Sequence, residues 1–131
     1  MTGEQARSFA DHWISAWNSH DLVAILAHYD DTVELISPVA SRLLGLPDGK
    51  VVGKANLRAY FRRGLEAFPD LHFQLHDTLC GMNSVVLYYT NHTGTRTAEF
   101  MEFNDQAKVL RVVANYGVPN CRSTVFPLMP H

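Results

Sequence analysis

The 131 residues suffice for one domain, and 47% apolar content supplies a core that needs no staples. A net charge of −2 gives no electrostatic basis for holding nucleic acid or an anionic membrane. No apolar run approaches the ~18 residues of a membrane span, so the expected partner is a small, apolar ligand. Cys80 and Cys121 lack C-x-x-C spacing, and the polar N-terminus carries no basic-then-apolar leader, so a cytoplasmic protein is expected.

Thr2 with Gln5 makes a capping box, and Phe9, Trp13, Ala16 and Trp17 recur at helical spacing behind it, predicting a first helix over about residues 4–18. Asp21 caps a shorter second helix in which Leu22, Ile25, Leu26 and Tyr29 share a face. Asp30-Asp31 ends it, and Val33 to Ile36 reads as a strand closed by Ser37-Pro38. Residues 39–52 are the least regular stretch and contain the turn Pro47-Asp48-Gly49. A third helix follows Gly53, with Leu57, Tyr60, Phe61, Gly64, Leu65 and Phe68 on one side.

From Leu71 the period changes to 2. Turns at Gly81-Met82-Asn83, Thr93-Gly94 and Asp105-Gln106-Ala107 divide the rest into four strands, an antiparallel meander that must coil around the helices. The predicted architecture is α+β, with helices across one curved sheet, over residues 1–117. Residues 118–131 form a Pro-rich tail. Val85, Leu87 and Tyr89 on one face of the meander and Val86 and Tyr88 on the other are apolar on both sides, which predicts a homodimer through the sheet.

The runs WISAWNSHDLVAILAHYDD from Trp13, GKANLRAYFRRGL from Gly53 and EFMEFNDQAKVLRVVANY from Glu99 resemble the nuclear transport factor 2-like superfamily, closest to its SnoaL-like and ketosteroid-isomerase-like members. The resemblance spans about residues 5–117. It implies a cystatin-like cone whose pocket lies between the first and third helices and the concave sheet face. It also implies where an isomerase's groups would fall: the carboxylate base on Ser37, the oxyanion-binding tyrosine on Trp13, a supporting tyrosine on Phe61, and the acid on Glu99. Serine without a neighbouring base cannot shuttle a proton near neutrality, and indole donates without titrating, so steroid-type isomerisation is disfavoured.

Glu99 shares a strand face with Thr97, Met101 and Phe103, which would aim its carboxyl inward and raise its pKa; with the opposite parity it would face water, paired with Arg96 or Arg111. Tyr116, grouped with Leu110, Val112 and Ala114, stands at the pocket wall in the resembling fold, and Tyr88 adds a second phenol. The expected catalytic set is Glu99, Trp13 and Tyr116, and Trp17, Ser37, Tyr60, Phe61, Tyr88 and Met101 are expected to bind substrate. Arg42 borders the mouth, and His12 is the one histidine considered near the pocket. The histidines lack metal-ligand spacing, and no nucleotide or phosphate loop is present, so no cofactor or metal is expected. Two functions from different classes remain open: cofactor-independent isomerase, cyclase or dehydratase chemistry on a small apolar substrate, or a non-catalytic binding or assembly domain.

Overall fold

In the computed structural model, which describes residues 1–118, the capping box at Thr2 is closed in both directions and starts helix α1, Gly3–Asn18. Ala6, Ala10, Trp13, Ala16 and Trp17 are its buried stripe: small residues bring the helix close to the sheet, and two indoles fill the space at its far end. Asp21 accepts from the Ala24 amide and caps α2, Leu22–Leu26. That helix is shorter than its apolar pattern predicts. Tyr29 and the Asp30-Asp31 pair belong instead to strand β1, Tyr29–Ile36, which lies parallel to the last strand. A five-residue helix has little intrinsic stability, so strand pairing decides where it stops.

The stretch predicted to be irregular is ordered. Ser37 accepts from the Val39 amide and caps α3, Pro38–Leu44, with proline in the first turn and left-handed Gly45 at its end. The Pro47-Asp48-Gly49 turn then leads into β2, Lys50–Val52, antiparallel to β1. Helix α4, Lys54–Ala67, presents Leu57, Tyr60 and Phe61 to the core.

Strands β3 (Gln74–Cys80), β4 (Ser84–Thr90), β5 (Arg96–Phe103) and β6 (Val109–Tyr116) form the meander. The six-stranded sheet has the order β2-β1-β6-β5-β4-β3, antiparallel except between β1 and β6. It is an α+β fold with helices lining one concave face. Register shifts in three strand pairs supply the curvature. One of them corrects a sequence expectation. Val109 pairs with Phe103 and Arg111 with Glu102, so Leu110 is the extra residue and leaves the face of Val112 and Ala114. Among the described residues no helix is long and apolar enough to cross a membrane. The Pro-rich tail, from residue 119 on, lies outside the described residues.

Gly49 ties α3 to the end of β1. Its φ is +64°, its carbonyl accepts from the Ser37 amide at 3.0 Å, and a Cβ there would stand 2.6 Å from the Ser37 carbonyl oxygen. Gly49→Ala is therefore expected to destabilise the fold by at least about 1 kcal/mol from backbone strain alone. Urea denaturation checks this, and an unchanged midpoint would contradict the tie.

Candidate functional site

The pleat of β5 decides what the concave face can do. Thr97 and Glu99 face inward, while Ala98 and Phe100 between and beyond them face out. Leu87 and Ala114 stand directly opposite Glu99 on the neighbouring strands, and Tyr89 and Tyr116 stand opposite Thr97. Ala114 has only a methyl group, which leaves a hollow beside the carboxyl. Tyr89 reaches along the face, and its phenol O–H donates to Glu99 Oε1.

The hollow is a cavity of about 110 Å³. Trp13 and Trp17 of α1, Phe61 and Gly64 of α4, and Phe73 ahead of β3 form much of its wall. Phe73 stacks on Trp13 with ring centroids 5.8 Å apart and lies 4.4 Å from Tyr89, while Trp17 meets Phe61 edge-on at 4.8 Å. These rings exclude water from Glu99, which is 8% exposed. Burial raises its pKa to about 7, against the opposing effect of the Tyr89 hydrogen bond. Phenols surround it. Burial first, and the Glu99 charge in addition, push Tyr29, Tyr60, Tyr89 and Tyr116 upward, so they remain protonated donors. A carboxyl with its midpoint near neutrality can both take and give a proton.

The expected site residues divide on this geometry. Glu99, Trp13, Trp17, Ser37, Tyr60, Phe61 and Tyr116 all line the cavity. Trp13, 1% exposed, donates its indole N–H to the Tyr29 hydroxyl at 2.9 Å, so that donor is already engaged within the core. Trp17 turns its N–H toward the same phenol without completing a hydrogen bond. Ser37 caps α3 and stands close to the Tyr60 and Tyr116 phenols.

Two residues are not brought to the cavity. Tyr88 pairs with Ala98 on the outer face and packs its ring against His76, because inward positions on β4 are odd-numbered. Met101 shares the face of Glu99 but lies one row farther along β5, between Val85 and Val112, sealed in the core. His12 is also elsewhere, beside His28 in a separate shallow depression on α1. Arg42, half-buried in the last turn of α3, stands near Tyr60 and Tyr116, and burial lowers its pKa. Among the described residues no group of three or more His, Cys, Asp or Glu could hold a metal ion. The residues missed from the sequence are Tyr89, whose signal was its alternation with Leu87 and Val85, and His92, which lines the cavity in place of His12.

Because Glu99 rises from 4.5 to about 7 on folding, the native state holds a proton that the unfolded chain has released. Its contribution to stability is fully present below the unfolded value and is lost as pH rises through the folded one. Glu99→Gln stays neutral throughout. Its stability relative to wild type is expected to rise by about 3 kcal/mol between about pH 4 and about pH 8. Urea denaturation across that range checks it, and a flat difference would place the carboxyl in water.

Residues 10–120 match the family model of the SnoaL-like domain. A SnoaL-like protein of unknown function from Burkholderia thailandensis is 40% identical, with a TM-score of 0.86 over 88% of this chain and 97% of that one. A candidate ketosteroid isomerase from Kribbella flavida is 18% identical, with a TM-score of 0.70 over 87% of this chain and 78% of that one. AclR, a candidate hydroxylase from Streptomyces galilaeus, is 21% identical, with a TM-score of 0.70 over 97% of this chain and 86% of that one. The last two share the fold. No protein of curated function matches the sequence. The family match over most of the chain, together with the Burkholderia relative, makes this protein a member of the SnoaL-like family.

Proposed function

We propose that the protein is a small-molecule enzyme in which Glu99 moves a proton on an apolar substrate held in the cavity, in an isomerase, cyclase or dehydratase reaction. The observation that carries this reading is the Glu99 carboxyl facing an aromatic hollow with Tyr89 as its partner and a midpoint near neutrality. As a base it takes a proton from the substrate and returns it at another atom. As an acid it protonates a departing hydroxyl, which leaves as water, and the carboxylate so formed takes the proton of the adjacent carbon as the double bond forms. The cavity limits the substrate. About 110 Å³ is less than the roughly 150 Å³ that encloses one benzene ring, which favours a small substrate, a single ring with part of its edge in the mouth.

A second reading rests on Ser37. At the end of β1, where the resembling isomerases carry their base, this chain has a hydroxyl engaged in capping α3. A protein that kept the hollow without the base would bind ligand and release it unchanged. The two readings separate in one experiment: monocyclic enones, epoxides and hydroxy ketones offered to the full chain in D₂O and followed by proton NMR. Turnover that inflects near pH 7 and disappears in Glu99→Gln is expected. Binding without turnover, indifferent to Glu99→Gln, would favour the second reading.

The outer face of the sheet supports a homodimer as a further part of this proposal. Leu79, Val86, Phe100, Val113 and Ile36 are neighbours in register and form one apolar row across five strands. The adjacent row carries Glu102, Arg111 and Glu34. A second copy laid across it would cover the first row and find opposite charges beside it. Sedimentation at micromolar concentration is expected to give a dimer, and Phe100→Arg a monomer. A wild-type monomer would remove this part.

A further inference from the structure

Phenols apart, among the described residues lining the cavity the one titratable side chain besides Glu99 is the imidazole of His92. Plain alternation along β4 would turn this even-numbered residue to the outer face. The loop after β4 changes that. Asn91 ends the alternation, and its side-chain oxygen accepts from the Thr93 amide and hydroxyl and from the Thr95 amide, at 2.8 to 2.9 Å. Those bonds brace the loop, and His92 leaves it toward the helices. Its ring centroid lies 6.4 Å from that of Phe68, the residue that closes α4, and both residues line the cavity. His92 is exposed, which puts it at the mouth, in reach of solvent.

The two groups stand at different ends of one space. Glu99 is at the inner end, buried and level with Leu87 and Ala114. His92 follows Leu87 by five residues, roughly 16 Å along an extended chain. A ring in the hollow therefore lies between carboxyl and imidazole. Their access to water suits them to different halves of one reaction. An imidazole at the mouth regains its proton from solvent between turnovers, and a water molecule released beside it leaves directly. A buried carboxylate is a weak base, and the C–H it can deprotonate is one acidified by a neighbouring carbonyl.

We propose that His92 is a second catalytic residue, the general acid for a β-hydroxy ketone of about one ring whose hydroxyl lies in the mouth. Glu99 takes a proton from the carbon between carbonyl and hydroxyl-bearing carbon. The C–H electron pair becomes the C=C bond of the enone, the C–O pair leaves with the oxygen, and the imidazolium proton completes the departing water. Once the enone leaves, Glu99 gives its proton to solvent and His92 takes one up. The proposal rests on the reading of Glu99 as the base and adds the acid and the substrate class.

The compounds 3-hydroxycyclohexanone and 3-acetoxycyclohexanone eliminate to the same enone, and only the first needs an acid on its leaving group. Turnover of each by the full chain is followed by the absorbance of the enone, and wild type is expected to act on both. His92→Gln should lose on the order of a hundredfold in kcat on the hydroxyl compound and less than about threefold on the acetate. The fall of wild-type kcat/KM on the alkaline side, where the imidazolium loses its proton, should vanish in the same variant. Glu99→Gln should lose both eliminations. Because His92 is exposed, His92→Gln should melt with wild type, which separates lost chemistry from lost folding. An equal loss on the two compounds, or no loss on either, would overturn the role of His92. A wild type that eliminates neither, yet exchanges the α-protons of cyclohexanone into D₂O through Glu99, would remove the acid and leave the reading of Glu99 standing. A wild type that does none of these would remove both.

Discussion

Glu99 gives up most of its hydration to face the hollow under α1 and α4, and the partner that strand register brings it is a phenol. Those two facts set its chemistry. An arginine in the place of Tyr89 would hold the carboxyl ionised, as a structural ion pair. A hydrocarbon there would remove the hydrogen bond that favours the charged form, and burial would push the carboxyl further up. A phenol stabilises the charged form partly, and burial outweighs it, which leaves the midpoint near 7. The surrounding elements maintain that balance. The stacked Trp13 and Phe73 rings and the tilted Tyr89 ring beside them keep water out, while the missing side chain of Gly64 and the short one of Ala114 keep the space open.

Much of this was legible in the sequence because it depends on periodicity. The Trp13 and Trp17 stripe places two indoles at one end of a helix, and two-residue alternation through Thr97, Glu99 and Met101 aims the carboxyl inward. Neither inference needs a distant partner. The turn at Pro47-Asp48-Gly49 was legible for a similar reason, since proline and glycine act on their own backbone.

The failures are all matters of register or of tertiary pairing. A two-residue turn centred on Thr93-Gly94 would set Tyr88 across from Glu99. The hairpin instead closes with the Asn91 amide donating to the Thr95 carbonyl, a three-residue loop with left-handed Gly94. That shift of one residue sets Leu87 across from Glu99 and turns Tyr89, not Tyr88, into the cavity. The bulge at Leu110 likewise breaks an alternation that looked continuous. Tyr29 fitted the helical face of Leu22, Ile25 and Leu26, and only the parallel pairing with β6 makes it a strand residue. Residues 39–52 carry caps at both ends of α3 that are individually ordinary, so their sum was not visible.

At the end of β1 Ser37 carries a hydroxyl and no carboxylate, which bears on any reaction run here. Ser37 is drawn into capping and into contact with Tyr60 and Tyr116, and those phenols are pushed away from ionisation rather than toward it. They can donate hydrogen bonds to developing charge but are poor proton acceptors near neutrality. Among the described residues facing the cavity, the carboxyl with a midpoint near 7 is Glu99 alone. Acting alone, Glu99 would both remove and return the proton, with both positions on the face of the substrate turned toward β5; His92, which also lines the cavity, is the second side chain there able to take or give a proton. Same-face proton shifts and the departure of a hydroxyl suit Glu99 by itself, and a reaction that needs a second acid or base would draw it from His92.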